Sequence, residues 1–227
     1  MRSFFKCTEY KLHSLNPELG KYLVIEGSDG SGKGTQCDLA QSYLEEKGFV
    51  VVRTFEPGGT TIGAKIREVL KYEKTKRHPK TDVDLLTASR RESADQVIRP
   101  AVAIGSVALV DRSYFSTIAY QGFGDGVDIG YILERSLDAL QELVTPDLAV
   151  VLRVPYELLA ERLCQRGGTG RDYFESKGPD YFKKVVEGYD WICENLPVKS
   201  VDGTGTPEEV WEELKEKIKT MGVRHGV

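Results

Sequence analysis

"VIEGSDGSGKGTQ", residues 24–36, takes an apolar run to a carboxylate, threads four glycines around one lysine, and enters a helical pattern. The spacing G-x-x-x-x-G-K falls on Gly27, Gly32 and Lys33. Between a strand and a helix such a loop is built for phosphate: glycines let successive backbone N–H groups turn inward, and the helix start adds a positive dipole end. A nucleoside triphosphate, read as ATP, is therefore expected over Gly27, Asp29, Gly30, Ser31, Gly32, Lys33, Gly34 and Thr35, with Lys33 on the outer phosphates. The hydroxyl that usually follows the lysine is displaced by one position. Gly34 stands there, and Thr35 is expected to meet the phosphates or a hydrated Mg2+.

Outward from this loop, strand and helix alternate. Runs rich in β-branched residues begin at Tyr22 ("YLVIEG"), Phe49 ("FVVVRTF"), Val107 ("VALVD"), Leu148 ("LAVVLRV") and Val198 ("VKSVDG"). Most are apolar throughout, as strands buried on both faces are. Helical spacing covers residues 36–47, ending at Gly48, and residues 85–102 and 132–143. This predicts an α/β fold of the P-loop NTPase type, a doubly wound five-stranded parallel sheet with ligands beyond the carboxyl ends of its strands. Asp111 closes the third run there, as a second acidic partner of the magnesium or as the cap of the next helix. "RGGTGRDYFESKGPD", from Arg166, reads as a flap (LID) over residues 166–180. Residues 1–20 are set apart as an N-terminal extension of one domain spanning 21–227.

Composition limits the alternatives. The chain has 227 residues, 40% of them apolar, and a net charge of -4, which argues against broad nucleic-acid binding and for a small ligand. Four scattered cysteines without a C-x-x-C pair, and three histidines without ligand spacing, speak against zinc. No stretch suits a membrane span or a signal sequence, so a reduced, cytoplasmic protein is expected.

"EPGGTTIGAKIR" (56–67), "DRSYFSTIAYQG" (111–122) and Asp29 together resemble thymidylate kinases, and "RRESADQVIRPA" from Arg90 does so more loosely. The phrase "GSGKGTQ" alone is similar to adenylate kinases. The likeness runs over residues 21–214 with motif order kept. It implies phosphorylation of dTMP to dTDP by ATP with Mg2+, in a homodimer. Bringing two polyanions into line needs a cationic clamp on the acceptor, and the resemblance gives that part to Arg67 and Arg112. By the same resemblance Arg90 donates to a thymine carbonyl, Ser116 and Thr117 line the base, and Phe55 lies beside it. Tyr120 lies beneath the deoxyribose, and Asp29 binds its 3′-hydroxyl. "DGTGTP", from Asp202, is expected near the adenine.

Two departures bear on this. Leu86 stands where the family usually has a phenylalanine stacked on thymine, and Tyr173 replaces the arginine of a D-R-x-E flap motif. The P-loop position that carries a catalytic arginine in some thymidylate kinases is Gly30, so Arg166 and Arg171 of the flap are the expected source of charge on the transferring phosphoryl group. A kinase for dUMP or dGMP, or a nucleotide-binding switch, remains the alternative.

Overall fold

Side chains along a strand alternate between faces, so an unbroken apolar strand needs a packed layer on both sides. In β1 (Lys21–Glu26), Tyr22 and Val24 enter one layer and Leu23 and Ile25 the other, all of them buried. The computed structural model, which describes residues 20–73, 75–165 and 173–222, sets β1 in parallel between β3 (Val107–Asp111) and β4 (Leu148–Arg153). Outside these lie β2 (Val51–Phe55) and β5 (Lys199–Asp202), giving the order β2-β3-β1-β4-β5. Ile25 is in register with Asp111 and with Val150. The carboxyl ends of β1 and β3 are therefore neighbours, and the chain leaves both toward the same crevice.

Helices α1 (Lys33–Glu46) and α9 (Pro207–Lys219) cover the Leu23 face through Cys37, Ala40, Leu44, Val210, Leu214 and Ile218. The Tyr22 face is covered by α3 (Pro79–Ser93), α4 (Arg99–Ala103), α5 (Tyr114–Thr117), α6 (Ile129–Leu140) and α8 (Pro179–Asn195). Helix α2 (Thr61–Tyr72) packs on α3, and α7 (Tyr156–Gln165) follows β4. Local chemistry sets the ends. Gly48 stops α1 at φ 87, with Gly48 N–H bonded to Glu45 O and Phe49 N–H to Leu44 O, the paired closure that favours glycine there. Thr206 and Glu209 form a reciprocal capping box on α9.

The expected helix over 85–102 needs correction. It starts earlier, at Pro79 behind the capping His78, and it is not uniform: a π-helical turn, Ala94–Ile98, separates α3 from α4. Pro100 has no N–H to return to the preceding turn, and the widened turn just before it fits that loss. The helix expected over 36–47 begins at Lys33, and that over 132–143 runs Ile129–Leu140 before a tighter turn, Gln141–Val144. The second strand begins at Val51, leaving Val50 67% exposed. The N-terminal extension through residue 19 and flap residues 166–172 lie outside the described residues. No helix among the described residues is long and apolar enough to cross a membrane.

Candidate active site

The loop after β1 places its glycines where other residues would be strained or would collide. Gly27 has φ 147, and a Cβ there would lie 2.9 Å from Leu152 O; Gly32, at φ 90, precedes α1. The first turn of α1 has no side-chain cap, which leaves its N–H groups for a ligand. Lys33, only 7% exposed, donates from Nζ to Ser28 O at 3.0 Å. Burial, then the nearby Arg112 charge, pushes the Lys33 ammonium down to about 8, against the opposing pull of Asp29, Asp111 and Glu26. Desolvation, more than any lack of nearby carboxylates, is what lowers it.

Arg112 follows β3 in the left-handed region, at φ 73, a conformation that costs a non-glycine residue about 1–2 kcal/mol. Its N–H bonds to Ile25 O at 3.0 Å. The guanidinium reaches across the loop, with Nη1 donating to Gly27 O (2.9 Å) and Nη2 to Asp29 Oδ1 (2.5 Å), above the ring of Tyr120. Tyr120 OH donates to Asp29 Oδ2 at 2.9 Å. Burial would raise the Asp29 carboxyl, but the charges of Arg112 and Lys33 and the Tyr120 bond outweigh it and hold it well below the usual carboxylate range.

A cleft of about 570 Å³ joins these groups, with Lys33 and Thr35 on one side, Phe55, Arg67 and Arg112 on the other, and Asp111 at the end of β3. Arg67 lies over the Phe55 ring at 5.2 Å and donates to Pro57 O at 2.9 Å. Asp111 Oδ1 and Glu56 Oε1 are both buried without a hydrogen-bond partner among the described residues.

The remaining expected acceptor residues stand one side chain behind the cleft. Arg90, 1% exposed, donates from Nε to Glu56 Oε2 (2.8 Å) and from Nη2 to Thr117 Oγ1 (2.9 Å). Ser116 Oγ accepts from Arg112 Nη1, and Tyr120 reaches the cleft through Asp29. Leu86 is buried on α3. Tyr173 does not line the cleft: its N–H bonds to Lys71 O, and its ring meets the cations of Arg77 (4.5 Å) and Lys177 (4.8 Å). Arg166 and Arg171 fall outside the described residues.

A second pocket of about 360 Å³ opens beside the loop, between Gly30, Ser31, Thr35 and Gln36 and the residues Arg162, Gly203 and Gly205. The "DGTGTP" segment thus borders the P-loop, as its position after the last strand suggested. Arg162, which sequence reading passed over, donates to the carbonyls of Gly203 (2.9 Å) and Thr204 (3.2 Å). Glu26 and Tyr189 were also passed over, although a lone carboxylate ending the apolar "YLVIE" is a signal in itself.

A glycine cradle with a buried lysine, facing an arginine pair across one cleft on a parallel sheet, defines a P-loop phosphotransferase of the nucleoside monophosphate kinase class. Comparison with known proteins narrows this. A sequence model described as thymidylate kinase matches residues 25–214. The chain is 36% identical over 203 residues to a thymidylate kinase of Caldicellulosiruptor saccharolyticus, covering 89% of this chain and 97% of that one. It is 37% identical over 215 residues to a thymidylate kinase of Exiguobacterium sp., covering 90% and 99%. The one from Dichelobacter nodosus is 32% identical over 202 residues, covering 89% and 98%. The chain belongs to the thymidylate kinase family.

Proposed function

We propose that the protein transfers the terminal phosphoryl group of ATP to the 5′-phosphate of dTMP, giving dTDP and ADP. The observation that carries this reading is the joint lining of one cleft by Lys33 and by Arg67 and Arg112. Lys33 and the open N-terminus of α1 receive the donor phosphates. Arg112 and Arg67 hold the acceptor phosphate in line, and Asp29 and Tyr120 meet its sugar. Flap arginines Arg166 and Arg171 complete the charge around the moving phosphoryl group and exclude water.

Mg2+ suits the groups present. The unpartnered Asp111 Oδ1 and the Thr35 hydroxyl border the same cleft, a sparse oxygen set of the kind this ion takes while keeping water and phosphate ligands. Bound there, it would neutralise charge on the donor phosphates. We also read the protein as a cytoplasmic homodimer. Free Cys37, Cys164 and Cys193 agree with a reducing compartment, and exposed Ile62, Val69 and Tyr72 on α2, with Leu137 on α6, supply apolar surface for a second copy.

The test is phosphoryl transfer from ATP to dTMP, dUMP, dGMP and the ribose form of TMP, measured side by side. Highest kcat/KM with dTMP supports the assignment. Higher kcat/KM with dUMP or dGMP refutes the base assignment, and ATP turnover indifferent to every monophosphate refutes the kinase assignment itself.

A further inference from the structure

Glu26 ends β1 at 0% exposure, and beyond its charge acting on Lys33 the proposed reaction gives it no task. Five donors converge on it. Oε1 accepts from Ser113 N–H (2.6 Å) and Ser116 N–H (3.2 Å), and Oε2 from Gly27 N–H (3.4 Å), Ser116 Oγ (2.7 Å) and Tyr189 OH (3.0 Å). Burying a carboxylate is costly, and only such complete hydrogen bonding offsets it.

Two of those donors do a second thing. Ser116 Oγ and Tyr189 OH, 2.9 Å apart, are also acceptors for Arg112 Nη1 at 3.0 and 3.1 Å. A carboxylate has no proton to give and a guanidinium has no lone pair. The hydroxyls must therefore direct protons toward Glu26 and lone pairs toward Arg112. The same carboxylate grips the N–H groups of Ser113 and Ser116, just past the left-handed Arg112.

We propose that Glu26 is a positioning residue for the acceptor phosphate: through Ser116, Tyr189 and the Ser113 backbone it fixes the direction of the Arg112 guanidinium. Asp29 restrains Nη2, and Glu26, acting through two hydroxyls, restrains Nη1. Tyr189 belongs to α8, so one of these hydroxyls is supplied by the helix that follows the flap. The inference rests on the reading of Arg112 as the arginine of the acceptor phosphate.

Glu26→Gln keeps the shape but brings an amide that donates, which turns a hydroxyl proton toward Arg112 and sets donor against donor. Tyr189→Phe removes one acceptor from outside the loop and serves where Glu26→Gln does not fold. Calorimetry would give the affinity of each variant for dTMP, for thymidine, which has the same base and sugar but no phosphate, and for a non-hydrolysable ATP analogue. At about pH 6.5, below the Lys33 titration on which Glu26 also acts, affinity for dTMP should fall about 10- to 100-fold in Glu26→Gln and about 3- to 10-fold in Tyr189→Phe, with thymidine and the ATP analogue held near wild type. Tyr189→Phe should add little in the Glu26→Gln background, since both act on one contact.

Unchanged dTMP affinity in both variants would overturn the inference, as would an equal loss for thymidine, which marks general support of the fold. Arg112→Ala separates the two levels. If it binds dTMP as wild type does, the Arg112 reading fails and takes this inference with it. If it loses dTMP while Glu26→Gln and Tyr189→Phe do not, the inference fails alone.

Discussion

Nucleotide binding should carry a proton into the site, and Lys33 is the place to look. In the unliganded protein its ammonium is held near 8, by burial first and then by Arg112. A triphosphate sets negative charge directly against the ammonium, offsets the burial, and should restore Lys33 toward an ordinary lysine value of about 10.4. At about pH 8 half of the unliganded molecules carry a neutral Lys33, so binding takes up about 0.5 proton; at about pH 6.5 the uptake shrinks to about 0.03. Above that midpoint apparent affinity should weaken about tenfold per pH unit until the ordinary lysine range is reached. The sign for folding agrees. A lowered lysine makes the unfolded chain hold more protons between about 8 and 10.4, so the unliganded protein gains stability as pH rises through that window. Calorimetric titration with a non-hydrolysable ATP analogue, in buffers of differing ionisation enthalpy, measures the uptake directly. Subtracting the Lys33→Met result removes the nucleotide's own titration. Uptake so corrected that is no greater at about pH 8 than at about pH 6.5 would refute the reasoning.

Glu56→Gln should destabilise the fold by about 3–5 kcal/mol, because it takes the counter-charge from an Arg90 that is 1% exposed; a loss below about 1 kcal/mol in urea denaturation would contradict this. Lys177→Met removes an ion pair to Asp125 (2.7 Å) and the cation held over Tyr173, Phe174 and Tyr181, with an expected cost of about 1–3 kcal/mol by the same measurement. The Asp125 carboxyl, already raised by burial, should rise further in that variant, which its carbon chemical shifts across a pH titration would record. Arg171→Ala should lower kcat by about 10²–10³ with dTMP affinity retained, and full turnover would remove Arg171 from the mechanism.

The three central strands, β1, β3 and β4, were legible because both faces of the sheet are buried there. "VALVD" has no polar position before its closing Asp111 to confuse with a turn, and it folds as Val107–Asp111. The phosphate loop was legible because its whole geometry is local, written in glycines a few residues apart. Less of the site was readable where partners are distant. Glu26 and Tyr189 are 163 residues apart, and no spacing rule links them. Arg90 illustrates a different limit: resemblance assigns it a base, while the fold surrounds it with Glu56 and Thr117, a placement that depends on three separate elements. The π-helical turn was hidden because the pattern of apolar residues runs through Ala94–Ile98, and only Pro100 hints at the break.

The central position of β1 has a consequence for how the two proposed specificities are inherited. Beyond the loop, the cleft proposed for the monophosphate is bordered by Asp38 of α1 and by residues from Phe55 to Arg112, all of them before β4. The pocket beside the loop is completed by residues after β4, Arg162 through Val210. In the proposed reading, preferences for donor and for recipient are thus written in largely consecutive lengths of polypeptide, tied by Tyr189 of α8, which reaches back to Arg112. A lineage therefore has some freedom to revise one without rewriting the other. The stretch around Lys33 borders both openings and has no such freedom.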